Sequence, residues 1–568
     1  HRDLHSFPTR RSSDLVSGRS GNKNPGLTLF LTGNTGLLAL SAILFSLSFP
    51  SFINTSGFPL LSWISLFPAF IVTYSMSWKR APFYGLFLGL ISYAVFNYWL
   101  SSFHPLTIFI VPLLYAAYYL ILFPFLKLSN TLFPRYSFVV NTVIWTGYEY
   151  LRTKGFLGYS YGVMGYTQYL FPPLVRLSSL TGVWGVSFLV IFPSAFLGYA
   201  LKDVFTGTDT GNLKQMLKHS ASAISRAFYS GKKAVLTYFV LMGLALVWGM
   251  ASKTELKGLD TWKVSLIQQN IDPWQGGFET YKESLYRLKK LSTLAKEDNP
   301  EIIIWSETSF VPAIEWHSKY RTDPDVYGLV KELKDFLAGE TIPYLVGNDE
   351  GRLITDENMQ SRRVDYNAAI FYENGEVKDI YRKMHLVPFT EHFPYKKQLP
   401  WLYDLLEKSD THFWEKGKEY TVFESGRVKF STPICFEDTF GYISREFVRR
   451  GADVIVNITN DSWSGSVPAE VQHMMHAVFR AAENRRSVVR STNGGITCII
   501  DPNGRIISRI DPFEESWLTG LVPLYKGNWT IYTKAGDWFG AASVIISLML
   551  IVLGRSEEHT SELQSPNT

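Results

Sequence analysis

The feature that most constrains this chain is a succession of apolar runs before residue 251. Runs at 35–53, 58–76, 81–100, 106–126, 136–151, 180–201 and 234–250 hold few charges, and an eighth, 538–553, lies near the end. A helix needs about 20 apolar residues to cross a bilayer. One such run could equally be a buried core helix, but seven in succession argue against a soluble core. The expectation is a polytopic α-helical membrane domain of about eight spans, ordered as seven, a polar segment, then one. Composition agrees: 18% of residues are charged and 15% aromatic, against about 25% charged in average soluble chains.

Charges between the runs set the orientation. If eight spans alternate, Arg19, Lys23, Lys79, Arg80, Lys127, Arg135, Lys202, Lys214, Lys218, Arg226, Lys232 and Lys233 share one side. The short loops of the other side carry only Arg152, Lys154 and Arg176. Lys and Arg accumulate in cytoplasmic loops, so the first set is expected inside and the polar segment outside. The net charge of +5 gives no reason to invoke a nucleic acid partner, and two cysteines give no disulfide framework. Both ends look foreign. The stretches HSFPTRRSSDL at 5–15 and RSEEHTSELQS at 555–565 resemble translated sequencing adapters, so native protein is expected within about 16–554. The resulting division is 1–15 artefact, 16–255 membrane domain, 256–537 polar domain, 538–554 eighth span and 555–568 artefact.

The polar segment alternates short apolar strands with helices, the one at 279–296 amphipathic, the pattern of an α/β domain. Strands are expected at 262–268, 301–305, 344–347, 368–372, 428–435, 454–459 and 497–500, and helices at 279–296, 326–337, 440–450 and 469–483. Glu373-Asn374-Gly375 and Asp501-Pro502-Asn503-Gly504 read as hairpin turns.

Three places in this segment could carry chemistry. Glu307 follows the strand EIIIW, where α/β folds put their sites. Lys383 and Glu391 lie in YRKMHLVPFTE, a charged stretch entering a Pro-fixed loop. Cys435 lies in STPICFED, a thiol at a strand end among acids. Taken singly, each has an ordinary reading: an exposed loop carboxylate, a solvated charge cluster, an inert buried thiol. Cys498, inside GITCIID, fits the last of these and is given no role.

Together the three contexts resemble the nitrilase (carbon–nitrogen hydrolase) superfamily, whose catalytic residues run Glu, Lys, Cys in chain order. With the seven–domain–one span pattern, the chain resembles the apolipoprotein N-acyltransferase family. That resemblance implies an αββα sandwich with Glu307, Lys383 and Cys435 as catalytic residues, and Glu391 and Glu437 in support. It implies acyl transfer through a Cys thioester, from a membrane phospholipid to the N-terminal amine of a diacylglyceryl-cysteine lipoprotein. The setting would be a bacterial inner membrane with the catalytic domain outside, and no cofactor or metal is implied. Gln269-Asn270-Ile271, Asn460-Asp461-Ser462-Trp463, Gln472-His473, Arg480, Glu483, Arg486, Thr492, Asn493 and Gly495 fit further motifs, most of them read as structural. Phe436 stands where many members have Tyr, and Ser464 replaces a usual aromatic. Trp463 and Trp274 are the substrate-side aromatics implied, although Trp274 follows Asn270-Ile271 more closely than usual. The aromatic stretch 156–169 is a candidate lipid entry surface.

The chemistry suits the residues. A thiol has a pKa near about 8.5 and needs a base, which Glu307 would supply. Lys383 would place positive charge where an oxyanion develops. A membrane-tethered amidohydrolase would share these residues and pass the acyl group to water. A transporter with an accessory domain is a reading of a different class. It is disfavoured because the runs hold almost no ionisable residues, Glu149 beside Arg152 being the main exception.

Overall fold

The computed structural model describes residues 33–102, 107–206, 213–355, 361–408 and 412–564. The expected terminal stretch 1–15 lies outside them. Among the described residues, eight α-helices precede the polar segment: α1 (Asn34–Ser48), α2 (Phe67–Ser75), α3 (Ala81–Phe96), α4 (Thr107–Leu132), α5 (Ser137–Arg152), α6 (Pro172–Thr181), α7 (Val183–Thr206) and α8 (Leu213–Ala251).

Among the described residues, four helices are long and apolar enough to cross a membrane: Thr107–Leu132, Val183–Phe205, Met216–Ala251 and Trp538–Ser556. The other apolar runs form shorter helices, for identifiable reasons. The run at 35–53 stops being helical at Ser48, just before Pro50. The run at 58–76 breaks into a 3-10 turn, Pro59–Trp63, and the nine-residue α2, each with Pro in its first turn. The run at 180–201 is interrupted at Gly182, which has φ +65° and lies against the Tyr532 ring. An added Cβ would sit 2.9 Å from that ring, so only glycine fits between α6 and α7. The run at 234–250 is the end of a 39-residue helix.

The polar segment forms two six-stranded sheets. In chain order its elements are β1 (Thr261–Gln268), α9 (Phe278–Lys296), β2 (Ile302–Ile304), α10 (Ile314–Tyr320), α11 (Pro324–Ala338), β3 (Tyr344–Thr355), β4 (Ser361–Glu373), β5 (Glu376–Arg382), α12 (Pro400–Lys408), β6 (Val422–Ser425), β7 (Val428–Ser431), α13 (Gly441–Arg449), β8 (Val454–Thr459), α14 (Val467–Asn484), β9 (Ser487–Thr492), β10 (Cys498–Ile500), β11 (Ile506–Arg509), β12 (Ser516–Pro523), α15 (Ile531–Ala535) and α16 (Trp538–Gln564). Strand orders are β12-β1-β2-β3-β4-β5 and β11-β10-β9-β8-β7-β6. Both expected hairpin turns are present, joining β4 to β5 and β10 to β11.

Side-chain alternation builds the layers. Ile302 and Ile304 of β2 join Leu266, Phe430, Val454, Val456 and Val489 in a core between the sheets. Ile303 points the other way, onto Leu288 and Leu291 of α9 and Val330 and Leu333 of α11. On the far side, Ile455, Val488 and Ile500 pack with Met474, Met475 and Val478 of α14. The order is therefore helix, sheet, sheet, helix. Cys498 is fully buried in this last layer.

Helix α14 also packs on the N-terminal helical half, sharing a cluster with Val175 and Leu177 of α6. Nearly all of its residues are buried, the polar ones included. Its polar side chains bond to four successive parts of the membrane half. Gln472 donates to the Pro50 carbonyl at 2.8 Å and accepts from Trp99 Nε1 at 3.1 Å. His476 lies 3.3 Å from the Ser160 hydroxyl, and Arg480 donates to the Tyr166 hydroxyl at 3.0 Å. Glu483 accepts from the Val183 N–H at 3.3 Å. The loops after α1, α3, α5 and α6 thus all face the sheet domain.

Candidate active site

Four chain segments meet at the carboxyl ends of β2, β5, β7 and β8. Glu307 lies three residues beyond β2, in a tight turn under β3. Gly347 of β3 passes so close that an added Cβ would sit 2.2 Å from the Ser306 carbonyl oxygen. Glu307 is buried, and its carboxylate is fully engaged. Oε1 accepts from Lys383 Nζ at 3.1 Å and from Asn367 Nδ2 at 2.8 Å. Oε2 accepts from the Asn460 N–H at 2.9 Å.

Lys383 directly follows β5, and its side chain is 0% exposed. A buried ammonium is costly unless paired; here Glu391 Oε1 accepts from the same Nζ at 2.8 Å. Burial alone would pull the ammonium down, but Glu307 and Glu391 outweigh it and hold Lys383 well above its usual range. Burial pushes the Glu391 carboxyl up, against the pull of Lys383. Glu391 Oε2 accepts from the Val387 N–H at 2.9 Å, which fixes the loop.

Cys435 opens a 3-10 turn, Cys435–Thr439, after β7. Its φ is +51°, left-handed geometry that a non-glycine residue adopts only when its surroundings impose it. Burial and then the Glu307 carboxylate push the thiol well above its ordinary value, while Lys383 pulls it down. The sulfur therefore lies in the opposing fields of a carboxylate and an ammonium.

Glu437 ties two of these segments together. It is fully buried and accepts from the Ile434 N–H at 2.8 Å, in the Cys435 turn. It also accepts from the Met384 and His385 N–H groups at 2.8 and 2.9 Å, in the Lys383 loop, and from the Tyr381 hydroxyl.

The aromatic residues are distributed differently. Phe436 packs edge-on against Phe440 at 4.9 Å, with His385 at 6.0 Å, so this position lies in an aromatic cluster. Trp463 packs on Trp99 of the membrane half at 5.7 Å. Ser464, in place of an aromatic, is buried: its carbonyl accepts from Ser102 and its hydroxyl donates to Glu470. Trp274 is 55% exposed on the loop after β1, and its backbone N–H bonds Asp272. From the 156–169 stretch, Phe156 touches Phe389 and Tyr395 of the Glu391 loop at 5.7 and 5.8 Å.

Two asparagines escaped the sequence reading. Asn367 holds Glu307, and Asn457 Nδ2 donates to the Pro433 and Cys435 carbonyls at 3.0 and 3.3 Å. Each lies inside a strand, where a lone polar residue gives no local signal. Beneath the site, His473 and Arg490 both contact Asp438 and Asp461.

Residues 263–527 match the carbon–nitrogen hydrolase family, and residues 41–196 match the apolipoprotein N-acyltransferase N-terminal domain. The chain is 42% identical to apolipoprotein N-acyltransferase 1 of Treponema denticola over 92% of its length and 96% of that protein. It is 39% identical to apolipoprotein N-acyltransferase 1 of Treponema pallidum, over 91% of this chain and 95% of that one. It is 29% identical to the apolipoprotein N-acyltransferase of Borreliella burgdorferi, over 93% and 97% respectively.

Proposed function

Because the chain belongs to the apolipoprotein N-acyltransferase family, an enzyme family of lipoprotein maturation, we propose that Cys435 is its acyl-carrying nucleophile, Glu307 its general base and Lys383 its oxyanion partner. The observation that carries this reading is the buried Lys383 ammonium held between Glu307 and Glu391, with Lys383 and Glu307 both acting on the Cys435 thiol.

In the first half-reaction the thiol proton moves to Glu307 as sulfur attacks the donor ester carbonyl. Negative charge develops on that oxygen. Two of the three Lys383 N–H bonds go to Glu307 and Glu391, leaving the third to meet it. The tetrahedral adduct collapses to a thioester, and the leaving alkoxide takes the proton back from Glu307. In the second half-reaction an amine attacks the thioester, gives a proton to Glu307, and the sulfur leaves as a thiol. Glu391 orients Lys383, and Glu437 holds the Lys383 loop against the Cys435 turn. Trp463 and Trp274 are assigned to the substrate side.

The donor is a membrane glycerophospholipid and the acceptor a diacylglyceryl-cysteine lipoprotein. Both are lipids, which gives a physical reason for a catalytic domain docked on membrane helices. We place the protein across the bacterial inner membrane with eight spans, counting α1, α2 and the 3-10 turn before it, α3 and α5 as short ones. The catalytic domain, 256–537, then lies outside, followed by the last span at 538–554. The support is that loops after α1, α3, α5 and α6 meet the sheet domain, while Lys79, Arg80, Arg135 and Lys202 belong to the opposite ends of the helices.

The test is product analysis with phospholipid and a diacylated lipopeptide bearing a free amine. N-acylated lipopeptide and lysophospholipid are expected. Free fatty acid without acylated peptide would identify a hydrolase instead.

A further inference from the structure

Beneath the Cys435 turn lies a buried network in which each of two cations contacts the same two acids. His473 Nε2 is 2.9 Å from Asp438 Oδ1, and its Nδ1 is 2.8 Å from Asp461 Oδ1. Arg490 donates to the other oxygen of Asp438, and to Asp461 Oδ2 at 2.9 Å. Carboxylate oxygens only accept, so both ring nitrogens of His473 must carry protons for both contacts to be hydrogen bonds. The geometry requires an imidazolium.

The two acids sit in the two segments that the reaction depends on. Asp438 belongs to the turn Cys435–Thr439. Asp461 follows Asn460, whose N–H donates to Glu307 Oε2 at 2.9 Å. Arg490 also donates to Asn457 Oδ1 at 2.9 Å, and Asn457 in turn donates to the Cys435 carbonyl.

We propose that His473, as a doubly hydrogen-bonded imidazolium, is a positioning residue that straps the nucleophile turn to the loop holding the general base, so that acylation fails when it loses a proton. The proposal rests on Cys435 and Glu307 as nucleophile and base. A neutral imidazole has one N–H, and its bare nitrogen would face a buried carboxylate. That contact turns repulsive, and Arg490 alone is left to hold the two acids together. Misplacing a reacting group by about 1 Å can cost about 10²-fold in rate.

The groups facing His473 support a charge that persists through neutral pH. Burial alone lowers it, but Asp461 and Asp438 outweigh burial and Arg490, and lift it to about 9. Asp461 is held down at about 2, burial opposing and His473 prevailing. Burial pushes Glu470 well above the carboxylate range and pulls His476 down to about 3, so neither adds charge near neutrality. Tyr161 of the membrane half covers the imidazole at 6.3 Å. With the folded value above the free value of about 6.5, the strap is intact below that value and is lost as pH rises through about 9.

The experiment follows single-turnover acylation of Cys435 by intact mass, using dioleoyl phosphatidylethanolamine in detergent micelles, from about pH 7 to about pH 10. For wild type, the proposal expects an adduct at neutral pH and a rate that falls about 10²-fold across pH 9. His473→Asn and His473→Gln, checked for folding by melting, should be slowed by a similar factor at neutral pH and show no alkaline limb. A purely structural histidine would lower melting without moving the pH profile, and that result overturns the proposal. A flat wild-type profile with normal acylation overturns it too, whether or not the variants fold. Absence of an adduct at every pH would overturn the Cys435 assignment, and the strap with it.

Discussion

Lys383 and Glu307 form a buried ion pair, with Nζ 3.1 Å from Oε1 and the lysine side chain wholly out of solvent. The pair places one positive charge beside the sulfur of Cys435 without letting water screen it. Lys383→Met keeps most of the side-chain length and removes the charge. Single-turnover acylation should fall by about 10²–10³ in protein that still carries its thiol. Wild-type acylation in a folded variant would remove Lys383 from the chemistry.

Glu307 accepts from Lys383, Asn367 and the Asn460 N–H. Glu307→Gln retains shape and some of these bonds but cannot take a proton. Both half-reactions should slow by about 10²–10⁴ while the domain stays folded. A melting scan and an acylation time course on one preparation separate this from a structural role, which would lower stability and leave turnover per folded molecule unchanged.

The Glu437 carboxylate receives three backbone N–H groups and the Tyr381 hydroxyl. In Glu437→Gln one oxygen becomes an NH₂ that faces donors. The expected cost is about 1.5–3 kcal/mol, the range for hydrogen bonds to a charged group. Acylation should also slow, because the Lys383 loop and the Cys435 turn lose their common anchor. Unchanged unfolding by denaturant would show that the bonds are not maintained in solution.

Topology is open to a labelling test on intact cells in a Cys435→Ala, Cys498→Ala background. A cysteine at Glu376, exposed at the start of β5, should react with a membrane-impermeant maleimide. A cysteine at Arg80, at the opposite ends of the helices, should react only after permeabilisation. Equal labelling of both in intact cells would contradict the proposed orientation.

Much of this architecture was readable because it is written in local patterns. The alternation in EIIIW sends Ile303 and its neighbours to opposite faces, and the two hairpin turns carry Gly375 and Gly504 at positive φ. Glu307 and Cys435 were visible at strand ends, and Lys383 and Glu391 in one charged stretch entering a loop; the structure brings the four together. What was hidden depends on partners far away in sequence. The apolar run across residue 182 reads as one helix, and only the Tyr532 ring explains its break at Gly182. Helix α14 is readable as a helix, but only the N-terminal helical half explains why its polar side chains are buried. Asn367 and Asn457 matter through what they hold, which no pattern of their neighbours announces. Trp274 was grouped with the site by motif, yet it stands exposed on the loop after β1.

The central claim is that Cys435 carries the acyl chain. The most direct measurement is intact-mass analysis with peptide mapping, after incubation with phospholipid and no acceptor. The account predicts one acyl adduct on the peptide containing Cys435, lost in Cys435→Ala and retained in Cys498→Ala. An adduct on Cys498, or undiminished labelling of the Cys435→Ala protein, would contradict it.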